Sequence, residues 1–133
     1  MHKHAPLIML VDDDIDFIAQ MQFQLEKAGY GVIAAGGQRE AEKYLETVRP
    51  DLAVVDLMME KMDGGFALCH HIRRRYPEVP VILATAVASE TSLDFDAVTA
   101  EEKSWIKADV LMSKPLRFEQ LQREIKRLLA DGD

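Results

Sequence analysis

What most constrains this chain is a set of short apolar runs, each ending on one reactive side chain. Leu52-Ala53-Val54-Val55 leads straight into Asp56. Leu7–Val11 leads into Asp12-Asp13-Asp14, residues 79–84 into Thr85, and Val110–Ser113 into Lys114. Uninterrupted apolar runs of this length, rich in β-branched residues, are the mark of strands buried on both faces. In an open parallel sheet the carboxyl ends of the strands share one rim, and ligands bind there. The pattern therefore predicts that carboxylates, a hydroxyl and an ammonium converge on one hollow.

Between these runs the spacing turns helical. Phe17, Ile18, Met21, Leu25 and Ala28 fall on one helix face, with Asp14 as N-cap and Gly29 as the stop. A strand over 30–35 closes on Gly36-Gly37, and a helix over about 38–48 follows with Ala41, Leu45 and Val48 inward. No third spaced glycine follows Gly36-Gly37, which speaks against a dinucleotide-binding loop. Residues 57–65 read as a loop whose Asp63-Gly64-Gly65 supplies turn chemistry before a helix over about 66–76. That helix turns Leu68, Cys69, Ile72 and Tyr76 inward, and Arg73-Arg74-Arg75 reads as a solvated end matched to the helix dipole. His70 and His71 are adjacent, so they cannot both face one metal. Thr99-Ala100-Glu101-Glu102 fits a capping box and predicts a short helix over about 100–107. Phe118, Leu121, Ile125, Leu128 and Leu129 mark a last amphipathic helix. Five strands alternating with helices predict an α/β fold, a doubly wound parallel sheet covered on both faces.

At 133 residues the chain is read as one domain with its core over about 7–130. A net charge of -7 argues against direct contact with nucleic acid. The lone Cys69 excludes an intramolecular disulfide and a multi-cysteine metal site. The N-terminus has no apolar core of signal-peptide length, and no apolar run is long enough to span a bilayer. The expectation is a soluble cytoplasmic protein with no membrane partner.

The acids carry the chemistry. Asp12, Asp13 and Asp14 could all serve as caps at a helix N-terminus, where the dipole favours negative charge. Three exceed what one cap needs, and carboxylates held together raise one another's pKa. Magnesium, a hard cation that takes oxygen ligands, resolves the repulsion. Asp56 can then stay ionised and attack phosphorus, forming an acyl phosphate. The transferred group needs donors for its equatorial oxygens, which Lys114 and Thr85 can supply.

Together these motifs resemble the receiver domain of two-component response regulators, over the whole chain. The resemblance implies a flavodoxin-like sheet in the order 2-1-3-4-5, from which this chain is expected to depart by an irregular or shortened fourth helix. It implies Asp56 as phosphoacceptor, Asp13 as direct magnesium ligand and Asp12 in support, partly through water. The main-chain carbonyl of Met58 would complete the ligands, and Mn2+ could replace Mg2+. Thr85 followed by the small Ala86 matches the family's switch hydroxyl, and Lys114-Pro115 its lysine with a usually cis proline. The implied partners are a sensor histidine kinase or phosphotransfer protein and a downstream protein target. A homodimer would use the face of the fourth helix, last strand and last helix.

Three features depart from the family pattern. The 29 positions from Thr85 to Lys114 exceed its usual spacing, which displaces the fourth helix or partly replaces it by loop. Leu111 stands where a switch tyrosine or phenylalanine is common. Met58 and Val87 stand where relatives orient a hydrolytic water, which predicts slow self-dephosphorylation. Two other readings fit the residues less well. A haloacid dehalogenase-type phosphohydrolase needs an acid two positions past its nucleophile, where this chain has Met58. A degenerate scaffold receiver conflicts with intact Asp13, Asp56, Thr85 and Lys114.

Overall fold

The computed structural model describes residues 5–57, 64–85 and 108–131. The apolar runs form β1 (Leu7–Val11), β2 (Gly31–Ala35), β3 (Leu52–Asp56), β4 (Val81–Thr85) and β5 (Val110–Ser113). All pair in parallel, in the order β2-β1-β3-β4-β5, as expected. Both β3 and β4 are buried at every position, which is why they read as unbroken apolar runs. The strand order reverses beside β1, so the crevice between the carboxyl ends of β1 and β3 is where such a sheet accommodates a ligand.

Helices α1 (Ile15–Lys27), α2 (Gln38–Leu45), α3 (Gly64–Arg75) and α4 (Phe118–Asp131) are described. The two-residue period of each strand divides its apolar side chains between two cores. Met9, Val11, Val55 and Leu83 pack with Ala41 and Leu45 of α2 and Leu68 and Ile72 of α3. Ile8, Leu10, Val54 and Ile82 pack with Met21 and Leu25 of α1 and Leu121 and Ile125 of α4. The expected fourth helix and the loop before it lie outside the described residues.

Helix ends depart from the sequence reading for identifiable reasons. Asp14 caps α1 as expected, its carboxylate accepting from the backbone N–H of Asp16 at 3.1 Å and of Phe17 at 3.2 Å. Gly29, at φ +102°, takes the left-handed turn that ends that helix. α2 stops at Leu45, short of the expected 48, because α3 caps its carbonyls. Arg75 donates to Leu45 O at 2.8 Å and to Glu46 O at 3.0 Å, and the Tyr76 hydroxyl donates to Leu45 O at 2.9 Å. The arginine triplet is therefore more than a solvated end. Arg73 pairs with Asp109 at 2.6 Å, and the same Asp109 carboxylate accepts from Val81 N at 2.8 Å, tying α3 to the β4–β5 edge.

α3 in turn begins at Gly64, two residues before its expected start. A Cβ on Gly65 would lie 2.5 Å from both the Asp56 carbonyl oxygen and Leu57 Cα. Only glycine lets the first turn of α3 press on the end of β3, which the sequence reading took for turn chemistry. Among the described residues no helix is long and apolar enough to cross a membrane.

Candidate functional site

The register of the sheet assembles the site. Val11 and Val55 are partners across β1 and β3, so the next residues, Asp12 and Asp56, stand side by side at the rim. Asp12 is 2% exposed and Asp56 5%, while Asp13 faces solvent. Carboxylate oxygens of Asp12, Asp13 and Asp56 lie within 4.8 Å of one another. On the other flank, Ala84 is the register partner of Asp56, and Thr85, buried, follows it as the last residue of β4. Thr85 pairs with Ser113, and its carbonyl accepts from Lys114 N at 2.9 Å. The Lys114–Pro115 bond is cis.

Lys114 reaches back across the rim. Its Nζ donates to Asp12 Oδ2 at 2.9 Å and pairs with Asp56 Oδ1 at 3.3 Å. The ammonium also lies 5.3 Å from the centroid of the Phe17 ring. Burial on its own pulls the Lys114 pKa down; the hydrogen bond and charge of Asp12, then the charge and hydrogen bond of Asp56, outweigh it and leave a net rise. Asp12 is fixed from its other oxygen, which accepts from Asp14 N at 2.9 Å.

The three acids read from the sequence thus divide. Asp14 caps α1, whereas Asp12 and Asp13 join Asp56. Among the described residues, three carboxylates against one ammonium leave two negative charges in excess, the charge of one divalent cation. Their hard oxygen donors suit magnesium, which tolerates retained waters in place of a full protein cage. Asp12, Asp13, Asp56, Thr85 and Lys114 are therefore brought to one rim. Met58, expected to add a backbone carbonyl, lies outside the described residues, as does Ala86. Leu111, at the position where an aromatic switch is common in the family, is half-buried against the α2/α3 core. Sequence reasoning placed Phe17 only on the inner face of α1, since helical spacing gives no sign of a cation above its ring.

Comparison with known proteins agrees with the geometry. The family model described as response regulator receiver domain matches residues 8–126. The alkaline phosphatase synthesis transcriptional regulatory protein PhoP of Bacillus subtilis is 35% identical over 92% of this chain and 48% of its own length. The DNA-binding dual master transcriptional regulator RpaA of Synechocystis is 30% identical over 96% of this chain and 51% of its own. The chain thus spans about half the length of these curated relatives. Among solved structures, the response regulator TrrA of Thermotoga maritima, in complex with Mg(2+)-BeF, superposes with a TM-score of 0.74 at 26% identity, covering 92% of this chain and 98% of that one. A receiver domain from Methanospirillum hungatei superposes at 0.80 with 24% identity over 96% of both chains, a likeness of fold. With its matched residues spanning all five strands and its sheet in the same order, this chain belongs to the response regulator receiver domain family of two-component systems.

Proposed function

We propose that Asp56 accepts a phosphoryl group from the phosphohistidine of a sensor histidine kinase or phosphotransfer protein. The observation that carries this reading is the grouping of Asp12, Asp13 and Asp56 within 4.8 Å, with the Lys114 ammonium 3.3 Å from Asp56 Oδ1. An Asp56 oxygen attacks phosphorus, and the phosphorus–nitrogen bond breaks with its electron pair returning to the donor's imidazole. Asp12, Asp13 and Asp56 would hold Mg2+, or Mn2+ in its place, which would neutralise charge on the transferring oxygens. Lys114 exchanges an Asp12 contact for the new phosphoryl oxygens, and the Thr85 hydroxyl donates to another. The phosphoryl group ends on the chain's own side chain, so the protein is a phosphoacceptor that turns over no free substrate.

Signalling follows as a shift between two populations. The recruitment of Thr85 and Lys114, at the ends of β4 and β5, changes what the β5–α4 face binds, whether a second copy or a downstream protein. Relatives of twice this length are named as transcriptional regulators, one of them DNA-binding. The expectation of no nucleic acid therefore narrows to the acidic receiver itself, with DNA contact left to what it controls. A cytoplasmic location fits a kinase donor of this kind. The test is magnesium-dependent binding of beryllofluoride, retained by the unaltered chain and lost in Asp56→Asn. Binding that persists in that variant overturns the reading.

A further inference from the structure

We infer that Phe17 is a positioning residue for phosphoryl transfer, its ring face holding the Lys114 ammonium against the carboxylates of Asp12 and Asp56. The inference rests on the reading of Asp56 as phosphoacceptor.

Phe17 lies in the first turn of α1, beside the loop that carries Asp12 and Asp13 and within reach of Lys114. Asp14 fixes its backbone by accepting its N–H at 3.2 Å, so the ring is tied to the loop carrying Asp12 and Asp13. The side chain is half-buried and packs on the α1/α4 core, to which Leu116 and Phe118, just beyond Lys114, also contribute. The ring cannot swing away without leaving that core. Its centroid is 5.3 Å from Lys114 Nζ, inside the range in which the negative face of a ring attracts a cation.

An ammonium has three N–H groups. Asp12 and Asp56 engage it at 2.9 and 3.3 Å, and the aromatic face borders it as well. The ring steadies the charge yet presents no oxygen that would compete with arriving phosphoryl oxygens. An acidic or amide side chain in its place would be a rival acceptor, and an aliphatic one would fill the space without attracting the cation. Lys114 is thus held in place while staying able to change partners.

The test uses the 133-residue chain with Phe17→Leu and Phe17→Tyr, each checked for native fold by its amide NMR spectrum. Should Phe17→Leu fail to fold, Phe17→Met replaces it, again apolar without an aromatic face. In the unaltered chain and in Phe17→Tyr, the Lys114 ε-methylene protons carry an upfield ring-current shift, which Phe17→Leu abolishes. Beryllofluoride binding in Mg2+ weakens about two- to fivefold in Phe17→Leu and is kept in Phe17→Tyr. Absence of the ring-current shift in the unaltered chain overturns the inference. So does unweakened binding by Phe17→Leu, or equal weakening by both variants, which would mark a space-filling role. If the unaltered chain binds no beryllofluoride in Mg2+, the reading of Asp56 falls and takes this inference with it.

Discussion

Replacing Lys114 by methionine keeps the length and apolar stem of the side chain and removes its charge. Asp12 and Asp56, at 2% and 5% exposure, would then face each other with their 2.9 and 3.3 Å cation contacts gone. Removing one partner of a buried ion pair costs roughly 3–5 kcal/mol, because the remaining charge is stranded. The lysine side chain is itself 23% exposed, so water already screens part of the interaction, and the expected loss in EDTA is about 2–3 kcal/mol. That is a large share of a domain's total stability, roughly 5–15 kcal/mol, yet leaves it folded. A divalent cation neutralises the same carboxylates, and binding to the native state at a hundredfold excess over Kd adds about 2.7 kcal/mol. The variant, lacking its internal cation, binds Mg2+ more tightly than the unaltered chain. Its deficit therefore shrinks to below about 1 kcal/mol in saturating Mg2+. Urea denaturation near neutral pH, in EDTA and in Mg2+, reads both values. A variant as stable as the unaltered chain in EDTA, or a deficit that Mg2+ leaves unchanged, would refute the reasoning.

Other substitutions probe the supports of the site. Gly65→Ala, which in an ordinary helix would add about 0.5–1 kcal/mol, should instead cost about 2 kcal/mol and weaken beryllofluoride binding, because its Cβ meets the backbone of Asp56 and Leu57 at 2.5 Å; thermal melts and titration check this. Asp14→Ala should cost about 1 kcal/mol in denaturation yet keep magnesium-dependent beryllofluoride binding, as befits a cap outside the carboxylate group. Burial pushes the Cys69 thiol up to about 12, with the Arg73 charge opposing and the Asp109 charge adding to the rise. The folded state then holds a proton that the unfolded chain gives up near about pH 8.5, so stability falls from there towards the folded value, by up to about 1.4 kcal/mol per pH unit. Denaturation series on the unaltered chain and Cys69→Ala should keep a constant offset, set by the cavity the substitution leaves, below that window and change their separation within it.

The strands were legible because each is built on a short apolar run, fully buried in β3 and β4 and half-buried even in the edge strands β2 and β5, and β1, β3 and β5 keep their expected bounds. Thr85, read as the residue after β4, is its last member, since the hydroxyl interrupts the apolar pattern while the backbone still pairs with Ser113. The ends of α2 and α3 escaped local reading because tertiary contacts set them: Arg75 and Tyr76 cap α2 from another helix, and Gly65 serves a close approach to β3. At the site, residue types and strand order pointed to the grouping of acids with Lys114. The contact of Lys114 with Asp12 spans 102 positions, and no periodicity encodes it. The ring of Phe17 was hidden for the opposite reason: its spacing already had a sufficient explanation as helix core.

The central claim is tested most directly by incubating the chain with a small phosphoryl donor such as acetyl phosphate and Mg2+, then locating the product by mass spectrometry after borohydride reduction. One alkali-labile phosphoryl group on Asp56, absent in EDTA and absent in Asp56→Asn, is the predicted result. Phosphorylation at another residue, or at Asp56 with equal yield in EDTA, would contradict the account.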